Sequence, residues 1–238
     1  RALRNNTSGF SNTAVGDRAA RSNSTGSYNT AVGRAALYSA TSSRDNTAVG
    51  YRALVVSTSD NNSAFGSLAM TANTSGTDNT ALGVLALSAN TTGSANVAVG
   101  LRALAQNTAK CCNTAVGADS MFSSTGAGNT AIGASAGYSW GSGSYNIAIG
   151  SGSYGDPGDD RVIRIGGLGR QNKTYIEGIH GTSIGGSLLE VFVNEDGQLG
   201  TSTSSARFKR EIRELEELGD RLLSLRPVSF RYRDEVVG

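Results

Sequence analysis

The sequence predicts an all-β chain folded as a parallel β-solenoid, or β-roll, of 16–17-residue repeats. Three observations predict it. The pentapeptide NTAVG or a near copy occurs nine times at that spacing. Its residues alternate with the period of a strand. The segments between copies hold turn formers and few large apolar residues.

The copies begin at Asn12, Asn29, Asn46, Asn62, Asn79, Asn96, Asn113, Asn129 and Asn146. Within each copy, Thr and Val fall on one face of a strand, and Ala with its flanking Asn and Gly on the other. Gly33 and its equivalents then permit a corner. The next apolar element is a small residue followed by a larger one, as in Ala36-Leu37, Ala53-Leu54, Ala69-Met70, Ala86-Leu87 and Ala103-Leu104. A second short strand is expected through that pair, followed by a polar turn such as SANTTGSA at 88–95. A helix is the competing expectation for RAALYSA and YRALVV. It fails on length, because the apolar patches last four or five residues and a lone helix needs about a dozen.

One such unit offers about four modest apolar side chains against the entropy of ordering some seventeen residues, so it cannot fold alone. Stacking is therefore obligatory, with like residues about 4.8 Å apart and the Asn side chains placed to form a hydrogen-bonded ladder. The bulk numbers agree. In 238 residues there are 32 glycines and only 6% aromatics, which suits a thin repetitive fold better than a wide core. The net charge of +2 and singly scattered basic residues argue against nucleic acid as partner. No apolar run approaches the eighteen residues of a membrane span, and the opening RALRNN reads as the start of a fragment whose targeting signals lie outside it.

The N-T/S-A-V/I-G motif, with the small and apolar pair that follows, resembles the head repeats of trimeric autotransporter adhesins over about residues 1–155. These copies are two or three residues longer than the usual adhesin repeat. The resemblance implies a left-handed β-roll and three chains packed around one axis. The uniformly small Ala14, Ala31 and Ala48 are expected to let those chains approach closely.

From Asp156 the repeat is lost to the eye, and residues 156–203 read as a β-rich stem. Short strands are expected around Val162, Ile163 and Ile165, around Tyr175, Ile176 and Ile179, and around Leu189, Val191 and Val193, with a tight turn at residues 194–197. Residues 207–224 are the one expected helix: Ile212, Leu215, Leu218, Leu222 and Leu225 recur at three- and four-residue spacing, and Pro227 stops it. Its single apolar stripe suits a short trimeric coiled coil, and suits equally a helix docked on its own chain.

The junction TSTSSARFKREI, with LRPVSFRYRDE downstream, resembles the start of the intramolecular chaperone domain that ends many phage tailspikes, endosialidases and related bacterial fibre proteins. Residues 204–238 would be the incomplete beginning of such a domain. The resemblance implies self-cleavage by a serine–lysine pair, here Ser204 and Lys209, with the cut between Ser204 and Ser205 after trimer assembly. Ser205 stands where that family commonly has aspartate. The chemistry needs a hydroxyl beside the scissile carbonyl and a lysine neutral enough to take its proton. Spacing alone fits as well a serine that caps the helix and a solvated first-turn lysine.

Other chemistry is sparse. His180 has no metal or triad spacing around it, and GGLG at 166–169 lacks a phosphate-loop lysine. Cys111 and Cys112 are adjacent and are expected to be unpaired turn thiols. Residues 1–150 contain no glutamate and five aspartates, Asp17, Asp45, Asp60, Asp78 and Asp119, too few to suggest the paired carboxylates of a polysaccharide depolymerase. The expectation is a homotrimeric structural or adhesive fibre, at a bacterial surface or on a phage-like tail, without metal or cofactor. Its partners would be itself and a host-surface glycan or protein. An end-to-end polymerising extracellular filament is the alternative.

Overall fold

A computed structural model describes residues 1–167, 169–173, 176, 190–193, 195 and 199–201. The chain divides into two units, Arg1–Tyr175 and Ile176–Gly238. In the first, ten three-residue strands stack in chain order into one parallel sheet. They are β1 (Thr13–Val15), β2 (Thr30–Val32), β3 (Thr47–Val49), β4 (Ser63–Phe65), β5 (Thr80–Leu82), β6 (Val97–Val99), β7 (Thr114–Val116), β8 (Thr130–Ile132), β9 (Ile147–Ile149) and β10 (Ile163–Ile165). The register places like on like, Thr13 beside Thr30 and Ala14 beside Ala31, and so on up the stack. In the second unit, β11 (Val191–Val193) and β12 (Leu199–Thr201) form an antiparallel pair. Among the described residues there is no α-helix; the helix expected at 207–224 lies outside them, as does most of the strand expected between Tyr175 and Ile179.

The alternation places the alanines inside. Ala31, Ala48, Ala64, Ala81, Ala98, Ala115, Ala131 and Ala148 are fully buried, packed in the same core as Ala103-Leu104 and its equivalents. This corrects the role expected for Ala31 and Ala48, because a side chain sealed within its own coil cannot form a contact between chains. Val15, Phe65, Leu82, Ile132 and Ile149, on the opposite face, are exposed.

The second strand of each coil does not form. Residues after the corner glycine instead take left-handed backbone at every second position: Gly100 has φ of 131°, Arg102 of 53° and Leu104 of 52°. A left-handed L-residue costs roughly 1–2 kcal/mol, whereas fully burying a leucine returns about 1.5–3 kcal/mol. At the leucine position burial offsets the strain. At Arg102 the offset comes from hydrogen bonding, since its N–H donates to Val84 O at 2.9 Å in the coil below. The corner itself requires glycine, because a Cβ on Gly100 would lie 2.5 Å from Gly117 O.

Two columns of buried asparagine run through the stack. In the first, each motif Asn takes a backbone N–H from the next coil on Oδ1, as Asn113 N donates to Asn96 Oδ1 at 3.1 Å. Its Nδ2 donates to a carbonyl in the spacer, as Asn96 Nδ2 does to Lys110 O at 2.9 Å. The second column lies in the spacer, where Asn90 donates to Asn73 Oδ1 at 2.8 Å and Asn107 to Asn90 Oδ1 at 3.0 Å. Ser124 follows Asn107 in this column and Ala40 follows Asn23, so each run ends there and the buried Oδ1 of Asn107 and of Asn23 lacks a donor.

The stacked sheet continues past residue 155, through β10. Its pentapeptide, VIRIG from Val162, has Val for Asn and Arg for Ala, which disguises it as the end of the repeat. Arg164, in the alanine position, is held by Asp159 and Asp156, and Trp140 is buried beside them with Nε1 donating to Asp159 Oδ2 at 3.2 Å.

Candidate functional site

Ser204, Ser205 and Lys209 lie outside the described residues, as does His180. Cys111 and Cys112 are free and exposed, and the Cys111 thiol beside it pushes the Cys112 thiol above its ordinary pKa. Among the described residues no three His, Cys, Asp or Glu side chains gather as a metal site. Asp60 and Asp78 have structural partners: Asp60 Oδ1 accepts the Arg44 N–H at 2.7 Å, and Asp78 Oδ1 accepts from Asn61 Nδ2 at 3.2 Å. No helix among the described residues is long and apolar enough to cross a membrane.

What the coil period does assemble is a basic and aromatic cleft over the first three corners. Positions one, two and five after the corner glycine form vertical columns. The first holds Asp17, Arg34 and Tyr51, the second Arg18, Ala35 and Arg52, and the third Arg21, Tyr38 and Val55. Seven of these nine residues, all but Asp17 and Arg21, line a cavity of about 280 Å³. Small Ala35 lies between the coils that carry Arg18 and Arg52, and buried Val55 adds a second apolar wall.

The side chains are tied in place across coils. The Arg34 guanidinium lies over the Tyr51 ring, 5.8 Å from its centroid, and Arg21 lies over Tyr38 at the same distance. Arg21 also donates to the Tyr38 hydroxyl at 3.1 Å. Asp17 approaches Arg18 at 3.6 Å with both side chains exposed. Arg34 and Arg52 have no carboxylate within ion-pairing distance among the described residues. Higher up the stack, by contrast, Arg102 is paired with Asp119 at 2.7 Å.

This cleft escapes a linear reading because its arginines are 16 to 18 residues apart. Setting the coils one under another by their corner glycines would have revealed it.

The second candidate surface is the outer face of the sheet. The outward side chains of β1 to β10 are Thr, Ser, Val, Leu, Ile and Phe, without one charge. Val84 and Leu101, one position past the corner in the column that holds Arg34 and Tyr51, are exposed as well.

Fold and repeat together define the first unit as a parallel β-solenoid repeat protein. Comparison with family models, curated proteins and solved structures finds no match to the chain.

Proposed function

We propose that this chain is a structural and adhesive fibre, assembled as a homotrimer at a bacterial surface or on a phage-like tail. The observation that carries the reading is the uncharged outer face of the ten-strand sheet. Nine steps of about 4.8 Å give a ribbon roughly 43 Å long, and two outward side chains per coil make it about 10 Å wide. This uncharged area, on the order of 400 Å², with one column mostly Thr and Ser and the other Val, Leu, Ile and Phe, is about half of one partner's share in a standard interface. The occupant that matches a face repeating every coil is the same face of another copy, with three copies closing on one axis.

The C-terminal segment then directs assembly, and Ser204 with Lys209 removes it by a single cut between Ser204 and Ser205. The support is the sequence TSTSSARFKREI and its resemblance to fibre chaperone domains. End-to-end polymerisation is less favoured, because the Arg164, Asp159 and Asp156 cluster is a charged, poor stacking surface for the next rod. Native and denaturing mass measured on one sample test the reading. A trimer of chains ending at Ser204 is expected; a monomer of uncut chains overturns both parts, and an uncut trimer overturns the cleavage alone.

A further inference from the structure

We propose that the cleft over the first three coils binds an acidic saccharide, a sugar carrying a carboxylate or a sulfate. The inference deepens the adhesive reading by naming what one surface of the fibre takes.

Three arginines, Arg18, Arg34 and Arg52, line one cavity that no carboxylate lines, and the exposed Asp17 is only loosely engaged with Arg18. Like charges gathered this way repel, by about 1 kcal/mol or less per pair in water-like surroundings, and an anion placed among them reverses the sign. Arg34 and Arg52 each keep a donor fork open for an oxyanion, since neither is spent on a carboxylate among the described residues. Stacking on Tyr51 holds the Arg34 fork in place before any ligand arrives, which lowers the ordering cost of binding.

The rest of the cavity selects a sugar over a bare ion. At about 280 Å³ it is far larger than phosphate or sulfate needs. Ala35 and Val55 give it apolar ground, and Tyr38 and Tyr51 give it ring surface against which the C–H face of a sugar can pack. A nucleic-acid strand would call for a longer basic track, whereas the next coil presents Ser67 and Leu68 in the columns that hold the arginines.

The test is calorimetric titration of the full chain with an oligogalacturonate, a heparin-derived oligosaccharide, a neutral dextran oligosaccharide, a glutamate oligopeptide and a single-stranded oligonucleotide. At least one acidic saccharide is expected to bind, tenfold or more tighter than the other three ligands. The carboxylate and sulfate arms identify which oxyanion is preferred. The exposed double substitution Arg34→Gln with Arg52→Gln should weaken that binding at least tenfold, Tyr51→Ala should weaken it severalfold, and Arg102→Gln should leave it unchanged. The proposal is overturned by absence of saccharide binding, by equal binding of the neutral sugar, peptide or oligonucleotide, or by an equal effect of Arg102→Gln. Sedimentation of the same variants reads assembly separately, so loss of the trimer with binding intact counts against the fibre reading and leaves the cleft standing.

Discussion

Arg164 grips Asp159 with two parallel hydrogen bonds, Nε to Oδ2 at 2.7 Å and Nη2 to Oδ1 at 2.7 Å, in the position where the nine preceding strands carry alanine. The exchange of a methyl for a guanidinium ends the apolar core at β10. Asp159 has a nearly buried side chain, and its carboxylate also receives the Asp156 N–H at 3.0 Å and the Trp140 indole. Arg164, Asp159 and Trp140 thus satisfy one another in this coil, whereas the buried Ser153 Oγ has no partner among the described residues.

The pair makes the end of the stack sensitive to acid. The hydrogen bonds from Arg164, chiefly, hold the Asp159 carboxyl below its ordinary pKa. A group whose folded pKa is lowered adds stability above its unfolded pKa of about 3.9 and loses it as pH falls through the folded value. Arg164 stays charged throughout and adds no slope in that range. Thermal unfolding followed from pH 7 to pH 2 should show Arg164→Gln less stable by about 2–3 kcal/mol at pH 7, with the gap to wild type narrowing below pH 4. A gap that stays constant with pH counts against the role assigned to the pair.

Left-handed backbone at Leu104 predicts an unusual cost for a conservative change. Leu104→Ile keeps volume and apolarity, and such swaps ordinarily cost less than about 1.5 kcal/mol. Here the second branch at Cβ meets φ of 52°, so a loss of roughly 2–4 kcal/mol is expected from denaturant titration. Leu104→Met, unbranched at Cβ as Met70 and Met121 are at the same position, should cost under about 1.5 kcal/mol. Equal effects of the two would remove the strain argument.

The asparagine columns predict that a polar interior residue matters as much as an apolar one. Asn96→Ala leaves the buried N–H of Asn113 without its acceptor, while the carbonyl of Lys110 keeps the donor from Asn107 Nδ2 at 3.0 Å. The orphaned N–H costs about 1–3 kcal/mol, so the variant should lose about that much stability. Asn96→Asp keeps the acceptor for Asn113 N but sets a buried carboxylate against Lys110 O, and should be at least as damaging at pH 7. Amide hydrogen exchange at Asn113 reports the change directly.

Strand, corner and stack were legible in NTAVG itself, because Thr and Val favour strands, Gly alone fits the corner, and one coil is too thin to stand alone. The strand Val191–Val193 was legible in its β-branched residues, whereas its antiparallel partner Leu199–Thr201 carries no such run. The left-handed turn at Leu104 was misjudged as a strand, yet the sequence carries its mark: no Val, Ile or Thr occupies a left-handed position among the described residues. The strand β10 was legible in Val162, Ile163 and Ile165, but its place as the tenth member of the stack was hidden because Arg164 and Val162 replace the two residues that define the motif. The second asparagine column was missed because its members sit in spacers that read as turns. The cleft was missed because Arg18, Arg34 and Arg52 become neighbours only when the coil period folds them together.

Assembly through the uncharged sheet face is the central claim, and sedimentation equilibrium of the full chain beside a Val99→Glu, Val116→Glu variant tests it most directly. Both side chains point outward from β6 and β7, so the variant should keep its circular dichroism and thermal transition. The predicted result is a trimer for the unaltered chain and a folded monomer for the variant. A monomeric unaltered chain, or a variant that remains trimeric, contradicts it.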